Sequence, residues 1–337
     1  MIRVAVVGAG YWGPNLIRNF TTCPATDLVA VCDLDQARLD KVLSPYPSVE
    51  GTTGFDALIA RDDIDAIAIA TPVDTHAPLG VAALEAGKHV LIEKPLASSI
   101  EDAEKLVATA KANDRILMVD HIFVYSEPVR KMKEVIDGGE MGDIYFIDSI
   151  RINLGLIQRD INVVWDLAPH DLSIMDYLVD RDPKRISVFG TCHAHSDAGI
   201  EDVAYINVDL GDNLLASFHV NWLSPVKVRH FIVGGSKKSI VYNDLDPAEK
   251  IKVYDCGVTV KQDVESRRNV LFDYRTGDVW SPHIRPAEAL QTMVSHFADC
   301  VKNKKTPITD GESGLRVVKL LATAQTSIKA QGAWITL

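Results

Sequence analysis

Short apolar runs alternate with segments of helical periodicity along the first 120 residues of the chain. The apolar runs are Ile2 to Val7, Leu28 to Cys32, Ala66 to Ala70, Val90 to Ile92 and Ile116 to Val119. None of them alternates with polar positions, which is typical of parallel strands covered on both faces. Between them, His76 to Ala86 and Ile100 to Asn113 predict helices, the second preceded by a capping box that starts at Ser98. The pattern predicts a doubly wound, parallel α/β Rossmann domain over residues 1–120.

Beyond about residue 122 the apolar positions follow a different period. A helix from Glu127 to Asp137 precedes strand-like runs at Ile144 to Ile152, Ile186 to His195, Val203 to Leu210, Leu214 to Trp222 and Val228 to Val233. Asp212-Asn213 predicts a hairpin turn. Further helices are expected at Pro169 to Val179, Ala287 to Lys302 and Gly314 to Lys329. Residues 121–337 are therefore predicted to form an α+β domain with a large, mostly antiparallel sheet.

This second domain is expected to bind substrate and to build a homodimer or homotetramer. A sheet packed on helices through one face leaves its other face free, and such a face is usually covered by another subunit.

Composition restricts the classes of function. The chain has 337 residues and a formal net charge of −11, which disfavours binding to nucleic acid or to an anionic membrane surface. No apolar stretch approaches the ~20 residues of a membrane-spanning helix, and the N-terminal apolar run is too short for a signal peptide. The five cysteines are scattered, as expected of reduced thiols in a cytoplasmic protein. Without an H-E-x-x-H or similar cluster, no metal is expected.

A glycine-rich loop follows the first predicted strand directly. Gly8, Gly10 and Gly13 form a G-x-G-x-x-G pattern whose intervening positions are Ala9, Tyr11 and Trp12, and a helix is predicted to begin at Trp12. Such a loop lets the backbone approach a pyrophosphate at a helix N-terminus. Asp33 lies 20 residues after Gly13, where an acid hydrogen-bonds the adenosine ribose and repels a 2′-phosphate. The pattern predicts a dinucleotide site that prefers NAD to NADP. The alternative is a set of turn glycines and a surface aspartate.

Two further segments end at the same edge of the predicted sheet. Thr71 and Pro72 follow one strand, and Glu93, Lys94 and Pro95 follow another. Ligands of doubly wound sheets bind at the carboxyl ends of the strands, so Lys94 is expected near the dinucleotide. It could hydrogen-bond a substrate hydroxyl or could be a solvated lysine, and position alone does not decide between the two. The sequence does not decide whether the peptide bond before Pro95 is cis or trans.

Asp166 and His170 stand four residues apart around Pro169. Pro169 fits the first turn of a helix, and His170 lies away from the apolar stripe of that helix. A carboxylate that orients a histidine is a usual arrangement for a general base near neutral pH. An aspartate that caps the helix and an exposed histidine would give the same pattern.

In combination, these motifs resemble the Gfo/Idh/MocA family of sugar dehydrogenases over essentially the whole chain. The resemblance rests on the glycine loop, Ala70-Thr71-Pro72 with His76, Glu-Lys-Pro at 93–95, D-x-x-x-H at 166–170, and Pro307 to Glu312. It implies a Rossmann domain, an α/β domain with an open sheet, and catalysis by Lys94 and His170 with support from Asp166. It also implies that Thr71, Pro72, His76, Glu93 and Lys94 border the cofactor. His121 is a departure, because many members carry Asn at this position near the nicotinamide.

Within the family, the segments Gly10 to Leu16 and Asn153 to Leu156 resemble members that oxidise the 3-hydroxyl of UDP-N-acetylglucosamine or its uronate. An anionic substrate would need cations, and the candidates are Arg151, Arg159, Lys227 and Arg229, any of which could instead be a solvated surface charge. The alternatives are an inositol, polyol or free-sugar dehydrogenase, an enzyme resembling biliverdin reductase, and a non-catalytic NAD-dependent sensor. Retention of Lys94, Asp166 and His170 together favours an enzyme over a sensor.

Overall fold

The computed structural model describes residues 1–155, 157–158, 161–194, 199–262 and 270–337, with only the backbone described at 259–262 and 270–273. The described chain forms two compact units. Unit 1 comprises Met1–Ser126 and Ala287–Ala322, and unit 2 comprises Glu127–Pro286 and Thr323–Leu337.

The described secondary structure consists of short strands in the first part of the chain and longer ones in the second. The strands are β1 Ile2–Val7, β2 Thr26–Cys32, β3 Glu50–Thr52, β4 Ala66–Ile69, β5 His89–Glu93, β6 Leu117–Asp120, β7 Ile144–Leu154, β8 Arg185–Thr191, β9 Val203–Asp209, β10 Leu215–Asn221, β11 Leu223–Gly235, β12 Ser239–Asn243, β13 Ile251–Gln262, β14 Val270–Trp280 and β15 Ile335–Thr336. The helices are α1 Gly13–Thr22, α2 Gln36–Leu43, α3 Phe55–Ile59, α4 His76–Glu85, α5 Ile100–Ala112, α6 Glu127–Asp137, α7 Val163–Leu178, α8 Ala289–Asn303 and α9 Gly311–Lys329.

Unit 1 is built on a parallel sheet with the strand order β3-β2-β1-β4-β5-β6. All four residues of β4 are fully buried, as are the apolar residues at the centres of β1 and β5. These buried, non-alternating strands confirm the predicted doubly wound domain. The pattern missed β3, which is a three-residue edge strand with two exposed residues, and it did not identify α2 or α3.

The last two helices belong in large part to unit 1, although the pattern assigned residues 121–337 to one domain. Residues 287–322, which contain α8, pack within unit 1. The amphipathic periodicity of a helix shows which of its faces is buried, but it does not identify the partner.

The cap of α5 lies one residue later than predicted. Ser99, not Ser98, accepts the backbone N–H of Asp102 at 3.1 Å, and its hydroxyl donates to the Asp102 carboxylate at 2.7 Å. Ser99 therefore satisfies one free N–H group at the start of the helix, and the Asp102 carboxylate accepts the Ser99 hydroxyl and not the backbone N–H of a reciprocal capping box.

Unit 2 is built on a nine-stranded sheet with the order β14-β13-β12-β11-β7-β10-β9-β8-β15. Its described pairs are antiparallel except β10 with β7, which confirms the expected sheet. Asp212 and Asn213 have φ of +48° and +61°, so the predicted hairpin turn is also confirmed. Strand β8 ends at Thr191, earlier than predicted, and His195 lies outside the described residues.

Helix α7 begins earlier than the sequence pattern indicated. Asn162 caps it by accepting the N–H of Trp165 at 3.1 Å, which places Pro169 in the helix interior and not in its first turn. The expectation for Pro169 was therefore wrong, because the Asn162 cap, about two turns upstream, sets the start of the helix. As a result, Asp166 and His170 both lie within α7, one turn apart on the same face.

Candidate functional site

The glycine loop of unit 1 is held tightly by its own backbone. Gly8 has φ of +98°, and a Cβ there would lie 2.5 Å from the carbonyl oxygen of Ala70. A Cβ at Gly13 would lie 2.1 Å from the carbonyl oxygen of Gly8. Neither position accepts a side chain without movement of the backbone, so these glycines allow α1 to start directly above the end of β1.

The middle of the loop is open. A Cβ at Gly10 would meet no protein atom within 4 Å, and the Tyr11 side chain is 89% exposed. Packing within the protein therefore does not explain glycine at position 10, whereas the close approach of a ligand does. The loop lies at the N-terminus of α1, whose free N–H groups and dipole favour an anion, so the residues present fit a pyrophosphate.

Asp33 lies directly after β2 beside this loop. Its carboxylate accepts the Ala9 N–H at 2.7 Å and the Asp35 N–H at 2.9 Å, and Arg38 lies 3.3 Å away. Burial opposes ionisation of this carboxyl, but the two N–H donors and the guanidinium outweigh it, so the pKa of Asp33 lies below its usual value. A carboxylate has about four acceptor positions, and Arg38 contacts both oxygens at 3.3 Å, so a ribose diol would bind here by displacing that weaker guanidinium contact.

This arrangement predicts that the wild-type protein binds NAD at least ~10-fold more tightly than NADP, a difference of about 1.4 kcal/mol. A 2′-phosphate would face the Asp33 carboxylate, and Arg38 is already paired with it. Asp33→Ser should reverse or abolish the preference, because it removes the repulsion and frees the guanidinium. Titration of both cofactors, followed by tryptophan fluorescence, measures the ratio. Equal affinities in the wild-type protein would contradict this role for Asp33.

His76 ties two strand-end segments together. It is 1% exposed, and its ring nitrogens lie 2.9 Å from the Pro95 carbonyl oxygen and 2.8 Å from the Thr71 carbonyl oxygen. Burial lowers the pKa of His76, and the two carbonyl contacts oppose that shift. The imidazole therefore supports the segments that follow β4 and β5. The Lys94–Pro95 peptide between β5 and this contact is cis.

The end of β6 carries an acid that the sequence reasoning missed. Asp120 is 1% exposed, and it accepts the Trp12 indole N–H at 2.8 Å. It pairs in register with Glu93 at the end of β5, so the two side chains lie on one face of the sheet. The sequence signal that could have identified Asp120 is its position at the carboxyl end of a predicted strand, one residue after the predicted end at Val119.

His121 follows Asp120 and is almost fully buried at 1% exposure. Among the described residues, no group hydrogen-bonds to either of its ring nitrogens. Burial, followed by the charge of Lys94, lowers the pKa of His121 to about 3, so the imidazole is neutral at physiological pH. A buried neutral ring with free polar atoms at the carboxyl edge of the sheet fits a ligand in this position.

The second candidate cluster lies on α7 in unit 2. Asp166 and His170 are both half-buried, and the Asp166 carboxylate accepts the indole N–H of buried Trp222 at 3.0 Å. The predicted apolar stripe is confirmed, because Leu172, Met175 and Val179 are all buried. Trp222 thus fixes the carboxylate on the face of α7 that His170 shares.

The four candidate cations for substrate differ in their surroundings. Arg151 is 4% exposed and forms a bidentate pair with Asp171, with both distances 2.8 Å. Arg229 lies 3.1 Å from Asp244, whereas Lys227 is exposed. Arg159 lies outside the described residues. A buried bidentate pair is typical of a structural contact, so Arg151 is the weakest of the three described candidates.

Across the described ranges, no helix is both long and apolar enough to cross a membrane. In that same part of the chain, no group of three or more His, Cys, Asp or Glu side chains is arranged to hold a metal ion.

Comparison with known proteins gives matches over both units. The NAD-binding Rossmann domain of the Gfo/Idh/MocA oxidoreductase family matches residues 2–121, and the C-terminal domain of the same family matches residues 129–241. A 2,7-anhydro-N-acetylneuraminate hydratase from Mediterraneibacter gnavus is 26% identical over 276 residues, which cover 78% of this chain and 70% of that protein.

Solved structures share the fold at low sequence identity. A UDP-N-acetylglucosamine 3-dehydrogenase from Acidithiobacillus ferrooxidans has a TM-score of 0.81 at 20% identity, covering 98% of each chain. An inositol dehydrogenase homologue from Azotobacter vinelandii, complexed with NADH and myo-inositol, has a TM-score of 0.81 at 22% identity, covering 100% of this chain and 97% of that one. The matches confirm the predicted fold, cofactor class and resemblance, and the chain belongs to the Gfo/Idh/MocA family of NAD-binding oxidoreductases.

Proposed function

We propose that this oxidoreductase converts a secondary hydroxyl of a nucleotide sugar to a ketone, with the 3-hydroxyl of a UDP-N-acetylhexosamine as the substrate group. The observation that carries the proposal is the Asp166–His170 pair on one face of α7, with Asp166 held by Trp222. A histidine whose neighbouring carboxylate is fixed in place suits proton abstraction from a hydroxyl.

In the proposed reaction, His170 takes the proton of the substrate hydroxyl, and Asp166 stabilises the imidazolium that forms. Lys94 donates a hydrogen bond to the same oxygen and stabilises the negative charge that develops on it. NAD⁺, when bound along the carboxyl edge of the unit 1 sheet, supplies the hydride acceptor. Gly8, Gly10, Gly13 and Asp33 hold the cofactor, and Tyr11, Thr71, Pro72 and His121 border it.

The choice of a nucleotide sugar rests on two considerations. The segments around Gly10 to Leu16 and Asn153 to Leu156 resemble members that act on UDP-sugars. The diphosphate of such a substrate needs a cation, and we assign this role to Lys227, which is exposed, with Arg229 and Arg159 as further candidates. The second candidate is an inositol or other polyol, which one structural neighbour binds.

A thermal-shift screen separates these substrates. UDP-N-acetylglucosamine, its uronate, UDP-glucose and myo-inositol are each added to the protein with saturating NAD, and the rise in Tm reports binding. The proposal expects a rise with the UDP-N-acetyl sugars that Lys227→Glu reduces. A rise with myo-inositol alone would favour the polyol dehydrogenase instead.

We further propose that the open face of the unit 2 sheet joins two copies of the chain in a homodimer or homotetramer. Phe189, Tyr205, His219 and Ile150 are successive register partners on β8, β9, β10 and β7, so their side chains form a row across one face. Phe189 is 57% exposed and Tyr205 53%, and Tyr205 stacks on His219 with ring centroids 4.3 Å apart. A contiguous apolar row of this kind marks an interaction surface.

Tyr205→Asp is therefore expected to dissociate the assembly, because it places a charge within the apolar row. Leu245→Asp is the matched control, since Leu245 is 40% exposed but follows β12 outside this row. Light scattering at micromolar concentration measures the mass. A wild-type mass equal to that of the 37.0 kDa chain would contradict the proposal.

A further inference from the structure

Two acidic side chains lie side by side in unit 1 at the carboxyl ends of β5 and β6, with Asp120 buried and Glu93 half-buried. Glu93 and Asp120 are register partners on adjacent parallel strands, so their side chains lie side by side on one face of the sheet, and the charge of Asp120 acts on the ionisation of Glu93. Asp120 is 1% exposed, and the Oε2 atom of Glu93 is also buried. Among the described residues, no donor serves Glu93 Oε2 or Asp120 Oδ1.

This proximity favours a bound proton. Two ionised carboxylates side by side in a buried setting repel each other and have only acceptors, whereas one proton between them removes the repulsion and permits a hydrogen bond. Asp120 already accepts the Trp12 indole N–H, which stabilises its ionised form. The arrangement therefore assigns the proton to Glu93, with Asp120 as the anion that accepts it.

The electrostatics agree with that assignment. Burial first, and then the charge of Asp120, raises the pKa of Glu93 well above its usual value. Burial also raises the pKa of Asp120, and the hydrogen bond from the Trp12 indole opposes that shift. The cationic group acting on both is Lys94, and His121 beside them is neutral. Neighbouring β4 is entirely apolar, and α1 places its one basic residue, Arg18, in a surface pair with Glu288.

The strand order indicates which part of the cofactor lies nearest to this pair. Asp33, the expected ribose ligand, follows β2, and the pyrophosphate loop follows β1. A dinucleotide extended across the carboxyl edge in that direction continues past β4 toward β5 and β6. The nicotinamide end is therefore the part directed toward Glu93 and Asp120.

We propose that Glu93 and Asp120 share one proton and that this pair couples proton binding to the oxidation state of the cofactor. The proposal rests on NAD binding at this edge, as in the proposed function, but not on the identity of the sugar. The nicotinamide ring carries a positive charge in NAD⁺ and none in NADH. NAD⁺ binding therefore favours the doubly ionised pair and releases the proton to solvent, whereas NADH binding leaves the pair singly protonated.

The test is calorimetric and needs no turnover. NAD⁺ and NADH are titrated into the protein in two buffers of different ionisation enthalpy, from about pH 6 to about pH 9, a range above the usual carboxyl pKa values. The difference in apparent binding enthalpy between buffers gives the number of protons released. We expect the number of protons released by NAD⁺ binding to peak on the order of one, at a pH where the free pair is protonated and the NAD⁺-bound pair is ionised. NADH binding should release markedly fewer protons at that pH.

Glu93→Gln should abolish the difference between the two cofactors, because Asp120 then remains ionised between Trp12 and an uncharged amide. Asp56→Asn, which removes an exposed carboxyl of α3, should behave as the wild type. Trp12→Phe should move the pH of maximal proton release upward, because the Asp120 carboxylate loses its N–H donor. This variant still tests the proposal if Glu93→Gln does not fold.

Equal proton release for NAD⁺ and NADH in the wild-type protein would overturn the proposal, as would an unchanged difference in Glu93→Gln. Failure of the protein to bind NAD at all would instead overturn the cofactor site. A protein that shows the proton linkage but oxidises no UDP-sugar would disprove only the proposed substrate.

Discussion

Lys94→Ala is expected to lower kcat by at least ~10²-fold, by analogy with removal of one oxyanion donor. The proposed role of Lys94 is to stabilise charge that appears on the oxygen only as the hydroxyl loses its proton and its carbon loses a hydride. NAD affinity should therefore change little. His170→Ala removes the general base and is expected to lower kcat by ~10²–10⁴-fold.

The double variant distinguishes a joint role from two separate ones. Because both groups are proposed to serve one oxygen, Lys94→Ala/His170→Ala should be far less impaired than the product of the two single effects. Asp166→Asn should be milder than His170→Ala, since the amide oxygen still accepts the Trp222 N–H and the histidine remains. The measurement is kcat at saturating NAD, with NAD affinity determined separately. Turnover near the wild-type rate in Lys94→Ala would refute the proposed mechanism.

Gly13→Ala and Gly10→Ala are expected to fail in different ways, although both alter the same loop. A Cβ at Gly13 would overlap the Gly8 carbonyl oxygen at 2.1 Å, and backbone cannot rotate away as a side chain can. We expect a loss of at least ~2 kcal/mol in the free energy of unfolding. Gly10 has open space around it, so Gly10→Ala should leave stability unchanged or raise it by up to ~1 kcal/mol.

For cofactor binding, Gly10→Ala is expected to be the more damaging of the two substitutions. Gly10→Ala should weaken NAD binding by at least ~10-fold, because the new methyl group occupies the space that a pyrophosphate needs. Chemical denaturation without cofactor and NAD titration of the folded protein measure the two effects separately. Unchanged NAD affinity in Gly10→Ala would mean that the open side of the loop does not face the cofactor.

Much of unit 1 could be predicted because each of its signals is local. The glycine loop, the buried strands and Asp33 are encoded within short segments whose spacing follows from backbone geometry. Asp120 was missed for a physical reason, since an acid at a strand end is usually solvated and its burial depends on Trp12, which is 108 residues away. The juxtaposition of Glu93 and Asp120 likewise depends on strand pairing, which periodicity does not specify.

In unit 2, likewise, features encoded locally were predicted and features that depend on distant contacts were not. The strands and the Asp212-Asn213 turn were predicted from alternation and turn chemistry. The start of α7 was misplaced because Pro169 was interpreted through its common position in a first turn, while the Asn162 cap passed unnoticed. Arg151 was counted among possible substrate ligands because a sequence does not reveal that Asp171 pairs with it in the interior.

The central claim is that the protein transfers hydride from a carbon bearing a sugar hydroxyl to NAD⁺. The most direct test incubates the wild-type enzyme and NAD⁺ with UDP-N-acetylglucosamine deuterated at C3, and in parallel with the C4-deuterated compound. Mass spectrometry then locates the label. The account predicts deuterium in the reduced cofactor from the C3-labelled substrate and none from the C4-labelled one. Formation of NADH without label from the C3-labelled substrate would contradict it.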